Sequence, residues 1–339
     1  MNSFLPVSPA SNTRSVVKIN QPLLLISEVQ RSGGTLLSQL FDGHPQCFAH
    51  PHEISWGRPK KWHWPNLDLS ALSASELFSA LDEPWLEDYA ARGYYKKNPK
   101  TNVETYPFQF DREQQRAIFS ECLAHCNPFS QRDVLDAYNT SFFNAWSDYQ
   151  DLHQPHKKFV TGFTPRVVMH SDSMNRFFRD YPDGFMFSSI RHPASWYSSV
   201  IQHGYQKHGG IPEIMAFWME STLATLAMSA QYPEQVYPLL FEDLILDTDR
   251  IMAEICHFTG LEFSEALLKP TFNGKPIQSN SHYDAVYHVD TAVVERYKAT
   301  LSADEIEQIE SLTFSVYQQA QQFIRDRHGL SFSQTPTPV

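Results

Sequence analysis

The sequence predicts an α/β fold of the P-loop nucleotide-binding type: a doubly wound, mostly parallel sheet with flanking helices and a large, mainly helical insertion. Three observations predict it. Short strand-like runs recur along the chain, and the first is continuously apolar, as expected of a strand buried on both faces. Most are followed by a segment of helical periodicity, and a repeated strand-helix order calls for parallel pairing. The first apolar run leads through a glycine-containing loop directly into a helix, the arrangement that seats anions.

The elements follow in order. Pro22–Ser27 reads as the first buried strand, and Leu36, Leu37, Leu40 and Phe41 mark a helix that stops at Gly43. A second strand is expected at Gln46–His50, a third at Lys158–Phe163, then a helix over about Val167–Arg179 and a turn at Pro182-Asp183-Gly184. The strand Phe185–Ile190 precedes Pro193, which suits the first turn of a helix reaching about Gln206. Val236–Phe241 is a further strand, and a helix from about Ile245 to His257 stops at Gly260. Residues 55–155, rich in Trp, Tyr and Phe, form the helical insertion; on the ligand side of such a sheet it would supply an acceptor pocket or lid. Residues 21–330 are expected to form one domain, with loose ends at 1–20 and 331–339.

Composition narrows the function classes. At 339 residues with 42% hydrophobic and 14% aromatic content, the chain can bury a sizeable core. Its 27 Lys and Arg against 38 Asp and Glu give a formal charge of -11, which argues against a nucleic-acid-coating surface, so an anionic ligand needs a local site. No apolar run is long enough to span a bilayer, and the first residues lack the pattern of a secretory signal, which predicts a soluble, cytoplasmic protein. Cys47, Cys122, Cys126 and Cys256 show no repeated CxxC spacing and read as reduced, structural thiols; Cys122 and Cys126 would share one helical face, and with His125 beside them a metal site is the alternative reading.

The loop Gln30-Arg31-Ser32-Gly33-Gly34-Thr35 offers backbone N–H groups to an anion at the positive end of a helix. A nucleoside triphosphate loop needs GxxxxGK[ST], and no Lys follows these glycines. Arg191, at the end of a strand, offers a charged fork to a phosphate, and Ser199, two turns into the next helix, can add a hydroxyl.

These residues resemble the sulfotransferases that use 3′-phosphoadenosine 5′-phosphosulfate, PAPS. That family's 5′-phosphosulfate loop reads approximately (K/R)-S-G-T-T, matched by Arg31, Ser32, Gly33, Gly34 and Thr35 with Gly34 in place of one Thr. Its 3′-phosphate motif is an Arg at a strand end with a Ser eight residues on, matched by Arg191 and Ser199. Weaker matches are Lys158–Pro165, the (Y/F)EDL-like Phe241-Glu242-Asp243-Leu244, and Asn273-Gly274-Lys275-Pro276, which resembles a late basic loop over the nucleotide and would bring Lys275 to a phosphate. The resemblance covers about residues 22–300 and has no motif within the insertion.

It implies a PAPS-dependent sulfotransferase of the bacterial or Golgi-like branch, moving a sulfuryl group to a hydroxyl, or less readily an amine, of a carbohydrate or small-molecule acceptor, with no metal required. The His that precedes Leu-Pro in cytosolic small-molecule members is replaced by Phe163. Tyrosylprotein and bacterial carbohydrate sulfotransferases place a Glu after the second strand, and Glu53 stands there as the implied base, with Arg31 stabilising the leaving phosphate. His50 and His52 are alternative bases; Glu53 could instead cap a helix or pair with Arg58. The His50-Pro51-His52-Glu53 cluster does not fit a zinc H-E-x-x-H pattern. A P-loop nucleotide kinase or phosphotransferase, and a catalytically silent nucleotide-binding protein, are the rival readings.

Overall fold

The structure is a computed structural model that describes residues 15–57, 62–95, 104–126, 130–278 and 286–328. Its centre is a five-stranded, wholly parallel sheet made by β1 (Leu23–Ile26), β2 (Cys47–Glu53), β5 (Phe159–Phe163), β6 (Phe185–Ile190) and β7 (Val236–Leu240). The order across the sheet is β2-β5-β1-β6-β7. After β1 the chain winds first toward the β2 edge, and β6 then reverses direction on the other side of β1. A crevice opens at such a reversal, beyond the carboxyl ends of the strands.

All four residues of β1 are buried, and the strand shows why its sequence is apolar without alternation. Leu24 and Ile26 point to one face and pack with Leu37 and Leu40 of α1 (Gly34–Leu40) and with Phe41, which caps its carboxyl end. Leu23 and Leu25 point to the other face and join the aromatic insertion. That insertion comprises α2 (Ala74–Leu81), α3 (Trp85–Arg92), the short antiparallel pair β3 (Tyr94–Tyr95) and β4 (Thr105–Tyr106), α4 (Arg112–Ala124) and α5 (Gln131–Ala145). Ser73 and Ser130 start α2 and α5 with reciprocal capping boxes to Glu76 and Asp133. Trp64 ties the insertion to α6 (Ser171–Asp180) by donating its indole N–H to the buried Asp180 carboxylate at 2.9 Å.

The boundaries differ from the sequence reading where the backbone departs from helix. The expected 167–179 helix is a 3₁₀ turn at Val167–Met169 and then α6, because His170 between them is extended. The helix begun by Pro193, α7 (Pro193–Ile201), ends before Gly204, whose φ of 78° is left-handed. The helix expected from about Ile245 is broken at Asp247, which separates α9 (Phe241–Leu246) from α10 (Thr248–Thr259), and Phe241, expected in the strand, begins α9. The second strand is longer than expected and ends at Glu53, past an irregularity in its register after Ala49. Two long helices, α8 (Ile211–Gln231) and α11 (Ala303–Arg327), have no counterpart in the sequence reading; they pack on each other and on α7. No helix among the described residues is long and apolar enough to cross a membrane.

Candidate active site

The loop between β1 and α1 is held from several sides. Ser189, on β6, donates its hydroxyl to the Ser32 carbonyl at 2.6 Å, and Trp196, on α7, donates its indole N–H to the Gln30 carbonyl at 2.8 Å. Arg31 adopts φ 75°, a left-handed conformation that a non-glycine residue keeps only when its surroundings impose it. Gly33 has φ 104°, and a Cβ there would lie 2.5 Å from the Phe241 ring. Close approach and backbone conformation together require glycine at that position.

The two predicted anion motifs meet. Arg31 Nε donates to Ser199 Oγ at 3.1 Å, and Arg191 Nη1 donates to the Arg31 carbonyl at 2.9 Å. Arg191 is buried, its Nε bonded to Ser195 Oγ at 2.9 Å and its guanidinium 4.6 Å from the centre of the Phe241 ring. The start of α7 is fixed by Glu242, whose Oε1 accepts the His192 N–H at 3.0 Å. Burial raises the Glu242 carboxyl to about 7.

Arg31, Gly33, Gly34, Thr35, Glu53, Arg191 and Ser199 line one cavity of about 330 Å³, a size in the range of small-ligand sites. A neighbouring cavity of about 370 Å³ lies against the insertion and is lined by Tyr89, Tyr94, Tyr95 and His52. Thr35, Gln39, Glu53 and Phe163 border both. Glu53 therefore stands at the junction, placed there by the carboxyl end of β2.

The other predicted residues are placed as follows. Ser32 is buried beneath the loop, and its hydroxyl has no hydrogen-bond partner. His50 is buried among Trp56, Phe142 and Phe143, with Nε2 2.9 Å from Asn139 Oδ1; burial pushes its pKa down to about 4. His52 stacks on Trp85 in the second cavity. Arg58 lies outside the described residues. Lys275 is exposed on the hairpin β8 (Thr271–Phe272) and β9 (Lys275–Pro276), outside the residues that line either cavity. Asp42 explains that position: at the carboxyl end of α1, it accepts from Thr271 and the Gly274 N–H, binding the hairpin to the end of the helix opposite the loop. Cys47, Cys122, Cys126 and Cys256 are free thiols.

Sequence reasoning missed several lining residues. Glu28 is the clearest, a carboxyl two residues beyond a buried apolar strand and facing the loop; a charge at that point of the pattern was the available signal. Asp290, Arg296 and Tyr297 also line the cavity, with Arg296 ion-paired to Asp290 and Tyr297 stacked on His192. Their stretch carries no strand or loop pattern that would have marked it.

Fold and site together define an α/β protein with a glycine-containing strand-to-helix loop at the switch point of its sheet. The profile of the sulfotransferase family matches residues 22–265, and the chain belongs to that family. Among solved structures, the sulfotransferase domain of the Synechococcus PCC 7002 olefin synthase is 16% identical with a TM-score of 0.50, over 91% of this chain and 97% of that domain. The sulfotransferase domain from the curacin biosynthetic pathway is 16% identical, with a TM-score of 0.48 over 87% of this chain and 98% of that one. A sulfotransferase from Alicyclobacillus acidocaldarius is 14% identical, with a TM-score of 0.45 over 90% of this chain and 96% of that one. No curated protein matches the chain.

Proposed function

We propose that this chain transfers a sulfuryl group from PAPS to a hydroxyl, or less readily an amine, of a carbohydrate or small-molecule acceptor. The observation that carries the reading is the convergence of the two motifs. The loop at 31–35 and the Arg191–Ser199 pair, far apart in sequence, are locked by direct hydrogen bonds onto one cavity. Two guanidinium groups and several hydroxyls in one cleft are the donor set that a nucleotide with phosphates at both ends of its ribose requires. Among the described residues lining this cavity there is no lysine, so a triphosphate loop finds no support.

When bound, PAPS supplies an activated sulfuryl group on a 5′-phosphate leaving group. The chain's residues divide the remaining work. The loop amides other than that of Gly34, which is bonded to Glu28, together with Arg31 and the Thr35 hydroxyl hold the 5′ end and neutralise charge as it develops there. Arg191 and Ser199 hold the 3′-phosphate. Glu53, on the border of the two cavities, accepts the proton of an acceptor seated in the second cavity. Tyr89, Tyr94 and Tyr95 line that cavity, and an aromatic lining suits sugars and small hydroxylated molecules alike.

The reading is tested by incubating the protein with PAPS and a panel of carbohydrate and small hydroxylated acceptors and following products by mass. A sulfated product is expected, with turnover lowered by about 100-fold or more in Glu53→Gln, since a positioned base contributes that much. Undiminished turnover in Glu53→Gln would remove Glu53 from this role.

A further inference from the structure

A fully buried carboxyl in the cavity takes no part in the transfer described above. Glu28 is 1% exposed and lines the cavity. Its Oε1 accepts the Gly34 N–H at 3.1 Å, whereas Oε2, equally buried, has no partner. The carboxyl is pressed against the bare α-carbon of Gly34. A Cβ there would lie 2.4 Å from Oε1, 2.5 Å from Oε2 and 2.4 Å from the Phe163 ring. Gly34 is also the position at which the phosphosulfate loop it resembles carries a Thr. The side chain that would bring a hydroxyl is missing, and a carboxyl fills its space.

The charges around Glu28 are few. Arg31 faces it from the same loop and Glu53 from the end of β2. Helix α1 carries no titratable side chain, and β5 contributes the Phe163 ring. Arg166 donates its backbone N–H to the Glu28 carbonyl at 2.9 Å, but its guanidinium turns away over the Trp62 and Phe217 rings. His288, Asp290, Arg191 and Arg296 border the same cavity. Burial outweighs the Gly34 bond and the pull of Arg31, and with Glu53 adding repulsion the carboxyl is raised to about 8. One oxygen accepting an amide while the other stands free is also the hydrogen-bond pattern of a neutral acid, whose carbonyl oxygen accepts and whose hydroxyl donates.

We propose that Glu28 is a neutral acid whose Oε2–H donates to an oxygen of the bound 5′-phosphate group, replacing the hydroxyl that Gly34 cannot supply. This rests on the nucleotide reading given above. Two carboxyls in one site are then divided by environment, Glu28 as standing donor and Glu53 as proton acceptor. In the transfer, the bond from sulfur to the 5′-phosphate oxygen breaks and the bond to the acceptor oxygen forms. The acceptor's proton passes to Glu53. Glu28 keeps its own, and its hydrogen bond strengthens as negative charge collects on the departing phosphate.

The test is the dissociation constant of adenosine 3′,5′-bisphosphate, measured by calorimetry at pH 7 and pH 9 in the unaltered protein, Glu28→Gln and Glu28→Leu. The ligand's phosphates are ionised throughout this range and are common to all three proteins. With a carboxyl near 8, affinity of the unaltered protein should fall about tenfold between the two pH values. Glu28→Gln, a donor at both, should stay flat and within about threefold of the unaltered protein at pH 7. Glu28→Leu should bind about tenfold more weakly at pH 7 and show no fall. A pH-independent unaltered protein, or the same fall in Glu28→Gln, overturns the role of Glu28 alone. Absence of bisphosphate binding by the unaltered protein at pH 7 overturns the nucleotide reading, and the role of Glu28 with it.

Discussion

Burial at Glu28 has a consequence for stability that is independent of any ligand. Its carboxyl is raised in the folded protein from an ordinary 4.5 to about 8, so the folded state binds the proton more tightly than the unfolded chain does. Its contribution to stability is therefore complete below about pH 4.5 and is lost as pH rises to 8. Glutamine, with no proton to bind, escapes this loss. Chemical denaturation at pH 5 and pH 8 should show Glu28→Gln gaining on the unaltered protein by on the order of 3 kcal/mol between the two. An equal difference at both values would mean that the carboxyl is not held neutral by the fold. His50 shows the same physics acting on a base: burial among aromatic rings holds it near 4, neutral at physiological pH, as part of the insertion's core.

At the scale of the element, the loop from Ser27 to Thr35 is a tightly fitted piece whose sequence reflects its neighbours. Gly34→Ala forces a methyl against Glu28 and Phe163 and should cost about 1–3 kcal/mol, read as a fall in the denaturation midpoint. Shortening the facing carboxyl removes part of that conflict. In a double-mutant cycle, Gly34→Ala combined with Glu28→Ala should cost less than the sum of the two single changes. Strict additivity would show that the contact with Glu28 does not set the residue at position 34. The elements that carry this loop were legible in the sequence because strands buried on both faces are mostly apolar: Leu23–Ile26 is so throughout, and Phe159–Phe163 and Phe185–Ile190 interrupt their apolar residues only with the small Thr161, Gly162, Ser188 and Ser189. The loop and the Arg191–Ser199 pair were legible for the same reason, since a strand end fixes where the next residues point. Glu28 was not, because its meaning depends on Gly34 and Phe163 lying against it, a tertiary fact. The end of β2 was misjudged because Pro51 sits where a strand ordinarily stops, yet on the edge of the sheet a proline is tolerated and the strand continues to Glu53.

For the whole molecule, the aromatic insertion and one face of the sheet form a continuous core. Leu23, Leu25, Phe48 and Val160 from the sheet pack in one cluster with Trp64, Phe119, Tyr138 and Phe142 from the insertion. Residues so joined are expected to unfold together. Trp56, Trp62, Trp64, Trp85 and Trp146 report mainly on the insertion, so thermal transitions followed by tryptophan fluorescence and by far-ultraviolet circular dichroism should coincide. Two separated transitions would show that the insertion folds on its own. The long helices α8 and α11 escaped sequence reading for a related reason: they pack on each other and on α7, and their role is to back the Arg191 strand end rather than to carry a motif. Trp218 of α8 makes this explicit by donating its indole N–H to the Arg191 carbonyl at 3.0 Å.

On the proposed reading, a single cleft grips one nucleotide by two separate phosphates, and this joins the three scales. Calorimetric titration of the unaltered protein and of Arg191→Lys with adenosine 3′,5′-bisphosphate, adenosine 5′-monophosphate and magnesium-bound ATP tests it directly. The unaltered protein should prefer the bisphosphate by about tenfold or more, and Arg191→Lys, without the planar fork, should lose most of that preference. Equal affinity for the two nucleotides in the unaltered protein, or a preference for magnesium-bound ATP over both, would contradict the account.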